Sequence, residues 1–378
     1  MTKQSRRDCF ATLAMTGSLT IIPLPPNYMA PQKTSVQKSS RPVITANGTV
    51  YATPLFLPVF QSGNPFISIN MLEHEFQVKG LITNAFFLYK QRDVKKTVLE
   101  QGIRNFLGFN GLIVTDSGAF QQFSGPLYLS NKTIITFQQD IGVDVISPLD
   151  VITPPGDNRT TAAKKLAATL RRIEKGLALV DRAILIGVQQ GGRFLDLRQQ
   201  AVEALVKFGV RYVALGSLVP FFTRNHQLEF IGKVITQARA IIPAEVPIHL
   251  YGGGDPLELP FYTALGCDIF DSSSFIHYAH SGWYMTPYGA LEVQKLISKV
   301  RSYPCECPYC TRWGETLWQD EKMLALHNLW MILDVLDNVK QRLKTGTLAE
   351  YLHQVLEIHQ HWFPQSQLAR SWDALCKG

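Results

Sequence analysis

From Pro42 onward, short apolar runs alternate with longer segments of helical period, a pattern that predicts parallel strands joined by crossover helices. The runs occupy 56–60, 80–86, 111–115, 144–149, 184–189, 212–216, 248–251 and 268–270. Ahead of them, 43–53 reads as two alternating β-prone stretches about Asn47-Gly48, which predicts a β-hairpin. Eight βα repeats over about 250 residues fit a closed (β/α)8 TIM barrel of the α/β class. An open doubly wound sheet would have fewer strands and a glycine-rich loop after the first, whereas Gly252-Gly253-Gly254 follows the seventh run. After His327, Leu333, Val335, Leu336 and Val339 recur at helical spacing. The expected organisation is an extension over 1–40, a barrel domain over 41–300, and a helical subdomain over 301–378 that holds Cys305, Cys307, Cys310 and His327.

Each run ends in polar residues or glycine: Asn84, Asp116, Asp150, Gln189 with Gln190, Gly216 with Ser217, Gly252 and Asp271. In a barrel these positions share the rim on which active sites are built. One aspartate at a strand end is ordinary helix capping. Three carboxylates converging on one rim repel one another unless a proton or a ligand offsets the charge, so Asp116, Asp150 and Asp271 are the catalytic candidates. Rim carboxylates without a metal cluster suit glycosidic chemistry, in which one attacks the anomeric carbon and another handles the leaving group's proton.

Cys305, Cys307 and Cys310, with His327 on a following helix, offer the four donors of a closed tetrahedral Zn²⁺ site, which makes the expected metal structural. Thiols this close in sequence pair poorly with each other as disulfides, and Cys9, Cys267 and Cys376 form no secreted framework, so a reducing, cytoplasmic setting is expected. The 378 residues carry a formal net charge of +7, which tilts toward a polyanionic partner without naming one. Arg6-Arg7 ahead of the apolar run 9–24 imitates an export signal, but Thr, Gly and Ser interrupt that run, and a disordered extension is the expectation, with Met29 an alternative start. No stretch has the 18 or more apolar residues of a membrane span.

Several motifs, in order, resemble the tRNA-guanine transglycosylases over about 290 residues: Thr115-Asp116-Ser117-Gly118-Ala119-Phe120-Gln121, Gly187-Val188-Gln189-Gln190-Gly191-Gly192, Ala214-Leu215-Gly216-Ser217-Leu218-Val219-Pro220, Asp268-Ile269-Phe270-Asp271-Ser272, Tyr284-Met285-Thr286-Pro287-Tyr288-Gly289 and the cysteine cluster ending at His327-Asn328-Leu329. The archaeosine-type branch is the one most resembled. The resemblance implies exchange of guanine in a polynucleotide, favoured as tRNA, for a 7-deazaguanine, with no organic cofactor. It implies Asp271 as nucleophile and Asp116 as general acid/base. It also implies Asp150, Gln190, Gly216 and Ser217 on the purine edge, with Phe120 and Tyr251 stacked on its faces. Ordinary barrel packing is the alternative role for the two aromatics.

Departures from the family pattern refine these expectations. The segment 218–222 has no carboxylate to receive an aminomethyl group, which favours the nitrile base preQ0; 272–283 has no arginine, which argues against anticodon position 34. Ala119 stands where the family usually has a second glycine. About 50 residues follow His327, too few for the RNA-binding PUA region of archaeosine enzymes, so a DNA-guanine transglycosylase is the alternative. A catalytically silent partner subunit is opposed by retention of Asp116 and Asp271; an ordinary glycosidase would need neither the metal cluster nor the paired glutamines. A second copy of the chain, as a homodimer, is the remaining partner expectation. Of the basic groups, Lys164, Lys165, Arg171, Arg172 and Lys175 read as a solvated helix face, and Lys295, Lys299, Arg301, Lys340, Arg342 and Lys344 as the better phosphate track.

Overall fold

The computed structural model describes residues 41–61, 63–64, 66–119, 129–303 and 305–377; the 1–40 extension, with Arg6-Arg7 and Cys9, and the expected stacking residue Phe120 with Gln121 lie outside the described residues. Two parallel sheets carry the chain. One orders Gly80–Asn84, Leu112–Asp116, Val145–Ile146 and Ile184–Leu185; the other orders Gly187–Gln189, Val213–Leu215, Ile248–Leu250, Ile269–Ser272 and Leu55–Pro58. They are halves of one barrel. Only Ile186 separates the two short strands of 184–189, which together form the fifth barrel strand, and a parallel bridge between Val59 and Ile82 joins the first strand to the second. Phe60 N–H donates to Ile82 O at 2.8 Å across the same seam, so the (β/α)8 barrel closes.

Strand alternation fills the barrel as the pattern predicts. Leu57, Ile82, Leu112, Val114, Val145, Ile186, Val188, Tyr212, Ala214 and Ile269 form an interior cluster, while Phe56, Leu81, Ile113, Ile146, Leu215, Leu250 and Phe270 face the helical layer. The hairpin Val43–Ala46 and Thr49–Ala52 forms as expected, and its Ile44 and Tyr51 join the interior cluster. Asn47 donates to Asp144, and Arg41 pairs with Asp268 at 3.0 Å, both carboxylates standing where strands begin. The hairpin therefore floors the barrel at the end opposite the catalytic candidates.

Two expected runs overshoot. The second strand stops at Asn84, whose Oδ1 accepts from Phe87 N–H at 3.2 Å and caps the helix Ala85–Lys90, so Phe86 belongs to a helix. The fourth spans only Val145–Ile146; beyond it, Gln138 takes over the backbone, its Oε1 accepting from Ser147 N–H and its Nε2 donating to Ser147 O. After strand eight comes the short helix Ser274–His280, and the 25-residue helix Glu321–Thr345 packs against it. Val335, Leu336 and Val339 of the long helix are buried, as its spacing predicts, and Leu333 is half-buried.

Candidate active site and metal centre

Strand ends bring the carboxylates together. Asn84 and Asp116 are register partners on adjacent strands, and Asn84 Nδ2 donates to Asp116 Oδ2 at 2.9 Å. Burial first, then the charges of Asp150 and Asp271, push Asp116 up to about 7, against opposing hydrogen bonds from the Gly118 and Ser117 backbone. Asp150 rises to about 6 through burial, offset by Gln190 Nε2, which donates to its Oδ2 at 2.6 Å, and by the charge of Arg172. Asp271, at the end of strand eight, accepts from Gly252 N–H at 3.2 Å on Oδ1. Tyr251 stands among all three. Burial raises its phenol well above the ordinary value, and the charges of Asp116, Asp150 and Asp271 each add to the rise.

The base-facing candidates form a single network. Gln190 Oε1 accepts from Thr153 Oγ1 at 2.6 Å and from Ser217 Oγ at 2.7 Å, and Ser217 Oγ accepts from Thr153 N–H at 3.1 Å. With Nε2 committed to Asp150, Gln190 is held in one orientation and presents Asp150 at a fixed angle. Gly216 is dictated by space, since a Cβ there would sit 2.7 Å from Gln190 Nε2 and 2.9 Å from Val188 Cγ1. Asp116, Asp150, Gln190, Gly216, Ser217, Tyr251 and Asp271 thus share the C-terminal rim, while Phe120 lies outside the described residues.

Four contributors escape the sequence reading. Thr153 anchors the Gly191 and Gly192 amides through Oγ1 at 3.2 and 2.9 Å. His249, fully buried, has Nδ1 2.9 Å from Tyr212 Oη and Nε2 2.8 Å from Asp271 Oδ1, the latter contact lying off a hydrogen-bonding line. Arg172 leaves the solvated face expected of it: Nη1 donates to Leu149 O at 2.6 Å beside Asp150, because the helix Arg159–Leu177 leans on the loop after strand four. Arg198 is fully buried on the helix Leu195–Lys207. Two of these left a signal, for His249 alternates inward with Tyr251, and Arg198 interrupts the apolar face made with Leu197, Ala201, Val202 and Leu205.

Among the second basic group, Lys295, Arg301 and Lys340 pair with Glu292, Glu315 and Asp337, and Lys299 donates to Trp362 O. Such pairing reduces the positive field these residues present to a phosphate.

The expected metal ligands do converge. The ligand atoms of Cys305, Cys307, Cys310 and His327 lie within 4.8 Å of one another, with Nδ1 of His327 at 3.7, 3.4 and 3.4 Å from the three sulfurs. Tetrahedral Zn–S and Zn–N bonds of about 2.3 and 2.0 Å imply sulfur–nitrogen edges near 3.5 Å, so the cluster has the dimensions to hold such an ion. His327 Nε2 donates to Met285 O at 2.9 Å; the carbonyl can only accept, which leaves Nδ1 bare toward the thiols. Tyr284 stacks on the imidazole at 3.8 Å, and Asn328 ties the long helix to the 283–285 backbone through Trp283 O and Met285 N.

A closed barrel with carboxylates gathered on its C-terminal rim, beside a Cys₃His cluster that could hold a metal ion, is the architecture of a barrel enzyme with a helical attachment. The chain belongs to the queuine tRNA-ribosyltransferase family, whose family model matches residues 41–361. It is 33% identical over 335 residues to a tRNA-guanine(15) transglycosylase of Methanopyrus kandleri, an alignment covering 86% of this chain and 72% of that protein. Proteins of the same description from Methanocaldococcus jannaschii and Methanosarcina barkeri are 32% and 34% identical, covering 84% and 83% of this chain but 50% and 64% of theirs. The chain thus spans about half to seven-tenths of the length of these relatives.

Proposed function

We propose that the protein exchanges guanine in tRNA for a 7-deazaguanine. The observation that carries this reading is the convergence of Asp116, Asp150 and Asp271 at strand ends on one barrel rim, close enough that the charges of Asp150 and Asp271 bear on Asp116 and all three bear on Tyr251, in a chain that belongs to this family. Gly252 N–H occupies Oδ1 of Asp271, which leaves Oδ2 to attack the ribose C1′ as the glycosidic bond to guanine breaks. Asp116, poised near neutrality, gives its proton to the departing base and takes one back from the incoming base, which then displaces Asp271 with net retention at C1′. Asp150 accepts from the purine's N–H edge, held by Gln190, while the Ser217 amide faces the 6-oxo group and Tyr251 lies on a ring face. Leu218, buried beside the site and followed by no carboxylate through Phe222, favours an uncharged substituent such as the nitrile of preQ0.

The Cys₃His cluster would hold Zn²⁺, which when bound supplies structural cross-linking and no chemistry at the sugar. In our reading the barrel over 41–300 performs the exchange, and 301–378 braces the segment after strand eight. A reducing compartment, the cytoplasm, keeps the thiols available to the metal.

Incubation with radiolabelled guanine and, separately, bulk tRNA and duplex DNA tests the reading. Label should enter tRNA; entry into DNA alone would move the substrate to DNA, and entry into neither would refute exchange. Asp271→Asn should abolish the covalent polynucleotide adduct seen on denaturing gels, and an adduct that persists would remove Asp271 as nucleophile.

A further inference from the structure

We propose that Arg198 is a positioning residue for purine recognition: by gripping the Gly216 carbonyl it sets the Gly216–Ser217 peptide with its N–H toward the barrel axis, where a purine 6-oxo group accepts it. The inference rests on the exchange reading above and assigns a task to a side chain that the proposed chemistry leaves unused.

Burying a guanidinium is strongly unfavourable unless its donors are met. Among the described residues no carboxylate pairs with Arg198. Its Nε donates to Gly192 O at 2.7 Å, Nη1 to Gln189 Oε1 at 3.0 Å, and Nη1 and Nη2 both to Gly216 O at 3.2 Å. Phe230 lies 5.8 Å from the guanidinium carbon, ring centroid to Cζ. The oxygens it gathers belong to the ends of strands five and six, the two loops that carry Gln190 and Ser217. A planar fork with five donors can bridge them, which a single ammonium cannot.

The direction of the peptide follows. Carbonyl and N–H are antiparallel in a trans peptide, so a Gly216 oxygen aimed at a helix outside the barrel sends the Ser217 N–H toward the axis. Ser217 has φ +56°, a left-handed conformation that is unfavourable for a residue with a side chain and therefore needs holding. Its Oγ is held by Gln190 and Thr153 on one side, and its carbonyl neighbour by Arg198 on the other. Its N–H has no acceptor among the described residues. A cation on the oxygen end of that peptide also polarises it, which strengthens the amide as a donor.

Titration with fluorescent 2-aminopurine, which lacks both the 6-oxo group and the N1–H of guanine, followed by displacement with guanine, reads this donor when the preference is compared between wild type and variant. The wild-type protein should favour guanine by about 100-fold or more, and Arg198→Met should cut that preference by about tenfold while 2-aminopurine affinity stays nearly constant, since the variant loses the 6-oxo contact and keeps the Asp150 contact to N1–H. A general loss of structure would weaken both bases alike. If Arg198→Met does not fold by circular dichroism, Arg198→Lys, which keeps the cation but not the fork, is read the same way. An unchanged preference in a folded variant overturns the role of Arg198 alone. Failure of the wild-type protein to bind guanine refutes the exchange reading and this inference with it.

Discussion

His249 Nε2 and Asp271 Oδ1 lie 2.8 Å apart inside the barrel, one strand from each other, with Tyr212 closing the far side of the imidazole at 2.9 Å. The carboxylate therefore rests on a buried ring and has little freedom to rotate. Replacing that ring with a smaller apolar group leaves Asp271 mobile without removing it. His249→Ala should lower kcat by about 10- to 100-fold with KM for tRNA within about threefold, since the lost interaction orients the attacking atom and does not bind substrate. Single-turnover kinetics would separate the two parameters, and a change confined to KM would contradict the assignment.

Asp116 makes a prediction about stability as well as rate. Its folded pKa, about 7, exceeds the ordinary value of 3.8, so between those limits the folded state holds more protons than the unfolded state. Stability contributed by this group consequently falls as pH rises from about 4 to about 7 and is flat above. Asp116→Asn removes the ionisation and should be more stable than wild type by roughly 1–3 kcal/mol at pH 8, with the difference vanishing near pH 4. Thermal melts across that range check the sign. The same variant should lose exchange activity by about two orders of magnitude or more, through loss of the proton donor.

Gly216→Ala tests the closeness of the recognition loop. The added methyl would press on Gln190 and Val188 at under 3 Å, so Gln190 must release Asp150 or the loop must retreat. KM for the free base should rise by about tenfold or more, and melting temperature should fall by only a few degrees. An unaltered KM would mean that this loop does not face the base.

Removal of metal should act at a distance from the sugar. Chelation, or Cys307→Ser, is expected to lower the melting temperature and to loosen 274–285 in hydrogen exchange, because His327 and Asn328 fasten that backbone to the long helix. Zinc content measured by atomic absorption should approach one ion per chain in the untreated protein. Full activity in a metal-free but folded sample would separate the cluster from function.

The barrel was legible because its strands are buried on both faces, which leaves unbroken apolar runs such as 112–114 and 184–188. The gathering of polar candidates on one rim was legible because they interrupt those runs at equivalent places. Boundaries were not. Ala85 and Phe86 look like strand because the helix capped by Asn84 opens with apolar residues, and 147–149 stays buried after it leaves the sheet because Gln138 replaces the missing neighbour strand. Arg172 was misplaced for a different reason: a cation on a helix reads as solvated until the loop it reaches is known. Arg198 and His249 depend wholly on tertiary neighbours, so sequence could at most mark them as polar residues on faces that should be apolar.

Because the hairpin stoppers one end of the barrel with Ile44 and Tyr51, a base in the proposed exchange would reach Asp116, Asp150 and Asp271 from the opposite end. On the exchange reading the outgoing guanine and its replacement would share one seat between Asp150 and Ser217, and while either occupied it the other would be shut out. Together with the proposed covalent intermediate on Asp271, this would give a ping-pong order, with parallel double-reciprocal lines and guanine as a competitor of the incoming base.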